Sequence, residues 1–182
     1  MEARRMLRKV AIIVSLVYVV LLPAGCQQPS EPQPPVNKPT LPAEVAGVWQ
    51  ARESPWRIVI DPNGTVISVV IPMSVVEVRP NQTTRVEMKD DSWSTFKAGN
   101  CTVEYTPQTR DLFVTVRMDE IHVAFLDNRI DGNSTDRFVG PVSEDGKTWK
   151  AEWVTIFDYG PRFPQEPNDL FAEPLIFDKV DK

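Results

Sequence analysis

From about residue 43 onward, hydrophobic and polar positions alternate with a period of two. Ile67, Val69, Ile71 and Met73 fall on one phase; Val86 and Met88 alternate with Arg85, Glu87 and Lys89; Leu112, Val114, Val116 and Met118 alternate with Thr115, Arg117 and Asp119. Successive side chains of a strand point to opposite faces, so this pattern predicts half-buried sheet and almost no helix. The breaks between the runs have turn chemistry. Asp61-Pro62-Asn63-Gly64 suits a type I turn closed by a left-handed glycine, and Asp145-Gly146, between Glu144 and Lys147, suits a two-residue hairpin. Other breaks are expected at Pro80-Asn81, Asp90-Asp91, Ala98-Gly99-Asn100, Thr106-Pro107 and Asp131-Gly132-Asn133. Strands are predicted over roughly 45–52, 55–61, 65–72, 74–79, 84–89, 92–97, 100–106, 111–118, 120–126, 136–142, 147–157 and 174–179, some being halves of one bent strand, about nine or ten in all. Pro72 cannot donate to a ladder and marks a bend or an edge. A meander of this length must protect its edges, so the expected fold is all-β: an antiparallel barrel, with a β-sandwich as the alternative.

The first 26 residues follow a different pattern. Arg4, Arg5, Arg8 and Lys9 precede thirteen residues, Val10 to Leu22, with Ser15 as the one strongly polar interruption. That run is too short for a membrane span, which needs about 20 apolar residues. A basic start, a short apolar run and small residues before a cleavage point are the parts of an export signal. Leu22-Pro23-Ala24-Gly25-Cys26 resembles the lipobox of bacterial lipoproteins, which implies removal of residues 1–25 and acylation of Cys26. Each buried methylene contributes about 0.8 kcal/mol, so two or more chains anchor stably where one is marginal. The expected location is the bacterial cell envelope, in the periplasm or at the cell surface, with membrane lipid as the partner of Cys26.

Gln27 to Pro42 has six prolines in sixteen residues and little that is apolar. Such a segment cannot offset its ordering entropy by burial and favours extended polyproline II, reaching about 50 Å. With Cys26 it reads as a tether over 26–42, leaving a single domain over 43–182; a proline-motif ligand for a partner domain is the sharper alternative.

Cleavage would leave 157 residues and, by removing Glu2 and four basic residues, take the formal charge from −5 to −8. An acidic chain with no basic stripe argues against a nucleic-acid partner. Cys101 is then the only cysteine besides the lipidated one, so no internal disulfide can form and stability must come from a core.

Gly47-Val48-Trp49, at the first strand of the expected barrel, resembles the Gly-x-Trp signature of lipocalins and the wider calycin barrels. Trp56 to Gly64 followed by Thr65-Val66, and Phe138 to Trp149, resemble hairpins of small bacterial β-barrel lipoproteins. In lipocalins that tryptophan packs on an arginine near the last strand; here Leu175-Ile176-Phe177-Asp178-Lys179 offers Lys179. The resemblance implies a cup for a small apolar or amphipathic molecule, a carrier or sensor. Trp149 and Trp153 share a phase with Ala151 and Phe157, and Tyr105 with Val103 and Cys101, so these aromatics line a pocket or fill the core. Gly160 to Pro174, fifteen residues with four prolines and with Phe163 and Phe171, is long for a connection and reads as a lid, or as a strap across a barrel end. The candidate ligand residues are thus Tyr105, Trp149, Trp153, Phe163 and Phe171.

Candidate chemistry is sparse. His122 is the single histidine and lies on a strand whose apolar face is Ile121, Val123 and Phe125, which directs it to solvent. It lacks convergent catalytic partners. Asp127-Asn128-Arg129-Ile130-Asp131-Gly132 departs from a calcium loop, with Arg129 at a ligand position and Phe138 where the closing carboxylate belongs. Cys101 alternates with apolar neighbours and has no adjacent base, as an inert thiol does. No enzyme, cofactor or metal is therefore expected. The alternative to a carrier is a packed, non-catalytic scaffold or adaptor with an unidentified protein partner.

Overall fold

The computed structural model describes residues 41–87, 93–125, 128–165 and 172–180. The predicted signal, Cys26, the tether as far as residue 40 and Phe171 lie outside the described residues. Eleven strands occur among those described: β1 Gly47–Ala51, β2 Arg57–Ile60, β3 Val66–Ile71, β4 Val76–Val78, β5 Thr83–Glu87, β6 Trp93–Ala98, β7 Thr102–Thr106, β8 Asp111–Phe125, β9 Asn128–Pro141, β10 Thr148–Asp158 and β11 Ala172–Val180. The lateral order is β4-β3-β2-β1-β11-β10-β9-β8-β6-β5, with β7 also on β8. β6 and β7 lie end to end along one edge of β8, Thr95–Ala98 opposite His122–Met118 and Thr102–Thr106 opposite Thr115–Asp111. They form one strand interrupted at Gly99–Cys101.

β11 returns the meander to β1, where Trp49 lies opposite Lys179. The remaining seam runs between β4 and β5, which share no ladder, although the Thr84 hydroxyl donates to the Glu77 carbonyl at 3.4 Å. The result is the expected all-β antiparallel meander, nearly closed into a barrel and consistent with a lipocalin-like fold.

The turn residues act as their chemistry requires. Gly64 has φ +75° and its N–H donates to the Asp61 carbonyl at 3.1 Å, while the Asp61 carboxylate accepts from the backbone N–H groups of Asn63 and Thr65. At Asp145-Gly146 the loop is longer than the expected two residues. Ser143 N–H bonds the Thr148 carbonyl and Gly146, at φ +66°, bonds the Ser143 carbonyl, so Glu144–Lys147 forms a four-residue loop. Pro72 ends β3 and enters a single 3₁₀ turn, Met73–Val75, in which Ser74 and Val75 have positive φ.

Two expectations are corrected and one is made specific. Asp131-Gly132-Asn133 is not a break: β9 runs through it, because Gly132 admits the backbone of β10, where an added Cβ would lie 1.9 Å from the Asp158 carbonyl oxygen. The runs 111–118 and 120–126 are, as expected of some pairs, halves of one strand, β8, bent at a bulge where Asp119 and Glu120 both face out between inward Met118 and Ile121. Ile67 does not share a face with Val69 and Ile71. Ile60 pairs with Val66 and Val59 with Ser68, which leaves Ile67 as the extra residue of a bulge, 46% exposed.

The core is aromatic along the barrel axis. Trp49, Trp149, Phe138 and Phe177 are fully buried. Trp149 stacks on Phe177 at 4.8 Å and meets Trp49 edge-on at 6.1 Å; Phe138 meets Phe177 at 5.8 Å and Trp56 at 5.0 Å; Trp56 meets Trp153 at 5.8 Å. Edge-to-face and offset pairs of this kind add about 0.5–1.5 kcal/mol each beyond the area they bury. At the floor, Trp49 Nε1 donates to the Val45 carbonyl at 2.8 Å, and Lys179 Nζ lies 5.7 Å from the Trp49 ring while donating to the Ala43 carbonyl at 2.8 Å. Gly47 has φ +142°, and a Cβ there would lie 2.6 Å from Lys179 Cε. The glycine of Gly-x-Trp therefore leaves the space through which Lys179 reaches the tryptophan.

Candidate functional site

The aromatic column stops short of one end of the barrel, leaving a half-open cavity of about 230 Å³. Its wall is built from neighbouring strands by inward phase. Met118 and Ile121 come from β8 on either side of its bulge, Ser134 and Asp136 from β9, and Trp153, Thr155 and Phe157 from β10. Trp56, just before β2, forms the base with Trp153, and Ile71, Pro72 and Met73 form one rim. Tyr159 completes the wall, its ring stacked on Phe157 at 4.5 Å. The Trp56 indole N–H is buried without a hydrogen-bond partner among the described residues, a cost of about 1–3 kcal/mol.

Asp136 is the unusual member. A carboxyl group in the inward phase of β9, 5% exposed, it accepts from Trp153 Nε1 at 3.0 Å and from Ser134 Oγ at 3.4 Å, with Thr155 supplying a further hydroxyl. Burial pushes its pKa above the ordinary carboxylate range, against the lowering effect of those donors. Tyr159 is raised too, by burial and then by the nearby Asp136 carboxylate, with Ser134 opposing. Among the described residues no Lys, Arg or His lines the cavity.

The sequence-predicted pocket residues do not converge. Trp153 lines this cavity. Trp149, four residues earlier on the same face, is fully buried in the column below it. Tyr105 lines a different groove, of about 610 Å³, between the β2–β3 turn and the edge of β7 that pairs with no strand among the described residues. Phe163 is 37% exposed outside the barrel, and Phe171 lies outside the described residues. The described start of the long connection lies along β10: the Gln165 side chain accepts from Phe157 N–H at 2.9 Å and donates to the Thr155 carbonyl at 3.3 Å. It serves the part of β10 beyond its ladder with β11, which ends at Val154.

Sequence reasoning misses Asp136, Ser134, Thr155 and Tyr159. The signal is present, since Asp136 shares a phase with Phe138 and Val142, and Thr155 and Tyr159 with Trp153 and Phe157. The break expected at 131–133 hides Ser134, which falls just before the strand expected over 136–142.

Elsewhere, His122 faces outward between buried Ile121 and Val123, its Nδ1 2.5 Å from the Asp131 carboxylate, which also accepts from Arg129. Among the described residues no group of three His, Cys, Asp or Glu could hold a metal ion. Cys101 is half-buried and its thiol is pushed up by burial, the opposite of nucleophile activation. No protein-family model, curated protein or solved structure matches the chain.

Proposed function

We propose that this protein is a lipid-tethered, non-catalytic carrier or sensor whose barrel takes one small amphipathic molecule in the cavity above Trp56 and Trp153. The observation that carries the reading is a mainly apolar, half-open hollow in a barrel otherwise filled by aromatic and aliphatic side chains, with a few convergent polar groups at one wall. The hollow limits the ligand. A cavity of about 150 Å³ holds benzene, so this one takes roughly nine non-hydrogen atoms. A long acyl chain would not be enclosed by it. Acylation of Cys26 and the tether would hold the domain at an envelope membrane; these parts rest on the lipobox resemblance and on composition.

Calorimetric titration of the purified protein with 2-phenylethanol should give one site, lost when Thr155→Phe fills the cavity. An unchanged isotherm in that variant overturns the placement of the site. The membrane half is tested separately: Cys26→Ala should move the protein from the membrane fraction to the soluble one. The adaptor alternative draws on the packed lower barrel and the edge of β7 left unpaired among the described residues, and predicts a cross-linked protein partner with no small-molecule binding.

A further inference from the structure

We infer that the cavity selects a ligand carrying a protonated amine, which Asp136 receives. This rests on the carrier reading and adds the class of ligand. A carboxyl 5% exposed, with only neutral donors around it and no cation among the lining residues, is an incomplete ion pair. Buried charges in proteins are ordinarily paired or coordinate a metal. The Asp136 oxygens accept from Trp153 at 3.0 Å, from Ser134 at a long 3.4 Å and from Thr155, three neutral donors for about four lone-pair sites, so the carboxylate is partly solvated but not paired.

The surroundings suit an ammonium more than any other head group. Trp56, Trp153, Phe157 and Tyr159 form much of the wall, and aromatic rings attract cations through their quadrupoles. Ser134, Thr155 and Tyr159 supply hydroxyl oxygens that can accept from the remaining ammonium hydrogens. A ligand carboxylate would meet like charge in a poorly solvated site. An alcohol could bond to Asp136 without neutralising it. Met73, Met118, Ile71 and Ile121 take the apolar body, so the class is a small aryl- or alkylamine of roughly nine heavy atoms.

The test compares 2-phenylethylamine, 2-phenylethanol and phenylacetate by calorimetry near pH 8, well above the ordinary carboxylate range. A charge-assisted hydrogen bond in place of a neutral one predicts that the amine binds the wild-type protein about tenfold to a hundredfold more tightly than the alcohol. The carboxylate should bind weakest. Asp136→Asn, which keeps shape and an acceptor for Trp153, should bring amine and alcohol to equal affinity. If the alcohol binds the wild type as tightly as the amine, the inference fails while the carrier reading stands. If the preference for amine persists in Asp136→Asn, Asp136 is not the receiving group and the inference fails. If none of the three binds the wild type, both this inference and the carrier reading are overturned. The wild-type comparison needs no variant to fold.

Discussion

Replacing Asp136 by asparagine should change folding stability little in acid and raise it increasingly as pH climbs above the ordinary Asp range. In the folded protein, burial outweighs the donors from Trp153, Thr155 and Ser134 and leaves the carboxyl above its usual range. The folded state therefore holds this proton more tightly than the unfolded chain, where Asp titrates at about pH 3.9. Below that pH both states are protonated and the contribution to stability is fully present. As pH rises through the folded-state value it is lost, and above that value the full penalty of a buried charge remains. Each tenfold difference in proton affinity between the states amounts to about 1.4 kcal/mol. The asparagine side chain has nearly the same shape, still accepts from Trp153 and has no charge to bury, so the variant avoids the loss. Urea unfolding of both proteins at intervals from about pH 3 to about pH 8 isolates the difference, because every other titrating group is shared. A gap that stays flat across the range, or that turns against the variant as pH rises, would refute the claim that burial dominates at this site.

Other outcomes follow from the packing. Trp149→Ala removes a fully buried ring stacked on Phe177 and should cost about 3–5 kcal/mol in urea unfolding. Gly140→Ala places a Cβ 2.0 Å from the Lys150 carbonyl oxygen, so β9 and β10 must part; thermal unfolding should show a loss of about 1–3 kcal/mol, against little for Thr135→Ala on the outward face nearby. Lys179→Met keeps the apolar stem over Gly47 but loses the Ala43 bond and the cation facing Trp49, and should cost about 1–2 kcal/mol, with Lys179→Arg retaining more of that stability.

The architecture was readable because a barrel with one wet face imposes period two on nearly every strand, and because Asp61–Gly64 and Asp145-Gly146 carry turn chemistry in their side chains. The same rule accounts for outward His122 and inward Trp153. It fails where one extra residue enters a ladder. Nothing in the composition around Ile67 or Asp119 announces a bulge, since the extra residue is set by the register each strand takes with its hairpin partner and not by local residue type. The cavity was half legible for a related reason. Phase shows which side chains point inward, but whether they meet a neighbour or a void depends on how separate segments converge. Trp149 and Trp153 are alike in sequence; the first meets Phe177 and the second borders empty space.

The bulge in β8 also bears on which length changes this gene can tolerate. Asp119 and Glu120 both project into water, and Met118 on one side and Ile121 on the other both enter the barrel. Loss of the Asp119 codon would restore simple alternation and keep every later side chain on its present side, changing only the curvature of β8 beside the cavity. A codon lost from the regular run Leu112–Val116 would turn a row of valines and leucine outward and bring threonine and arginine in. Orthologues differing by a single residue in this hairpin should therefore place the gap at the bulge, and their cavities should differ in width while their cores stay the same.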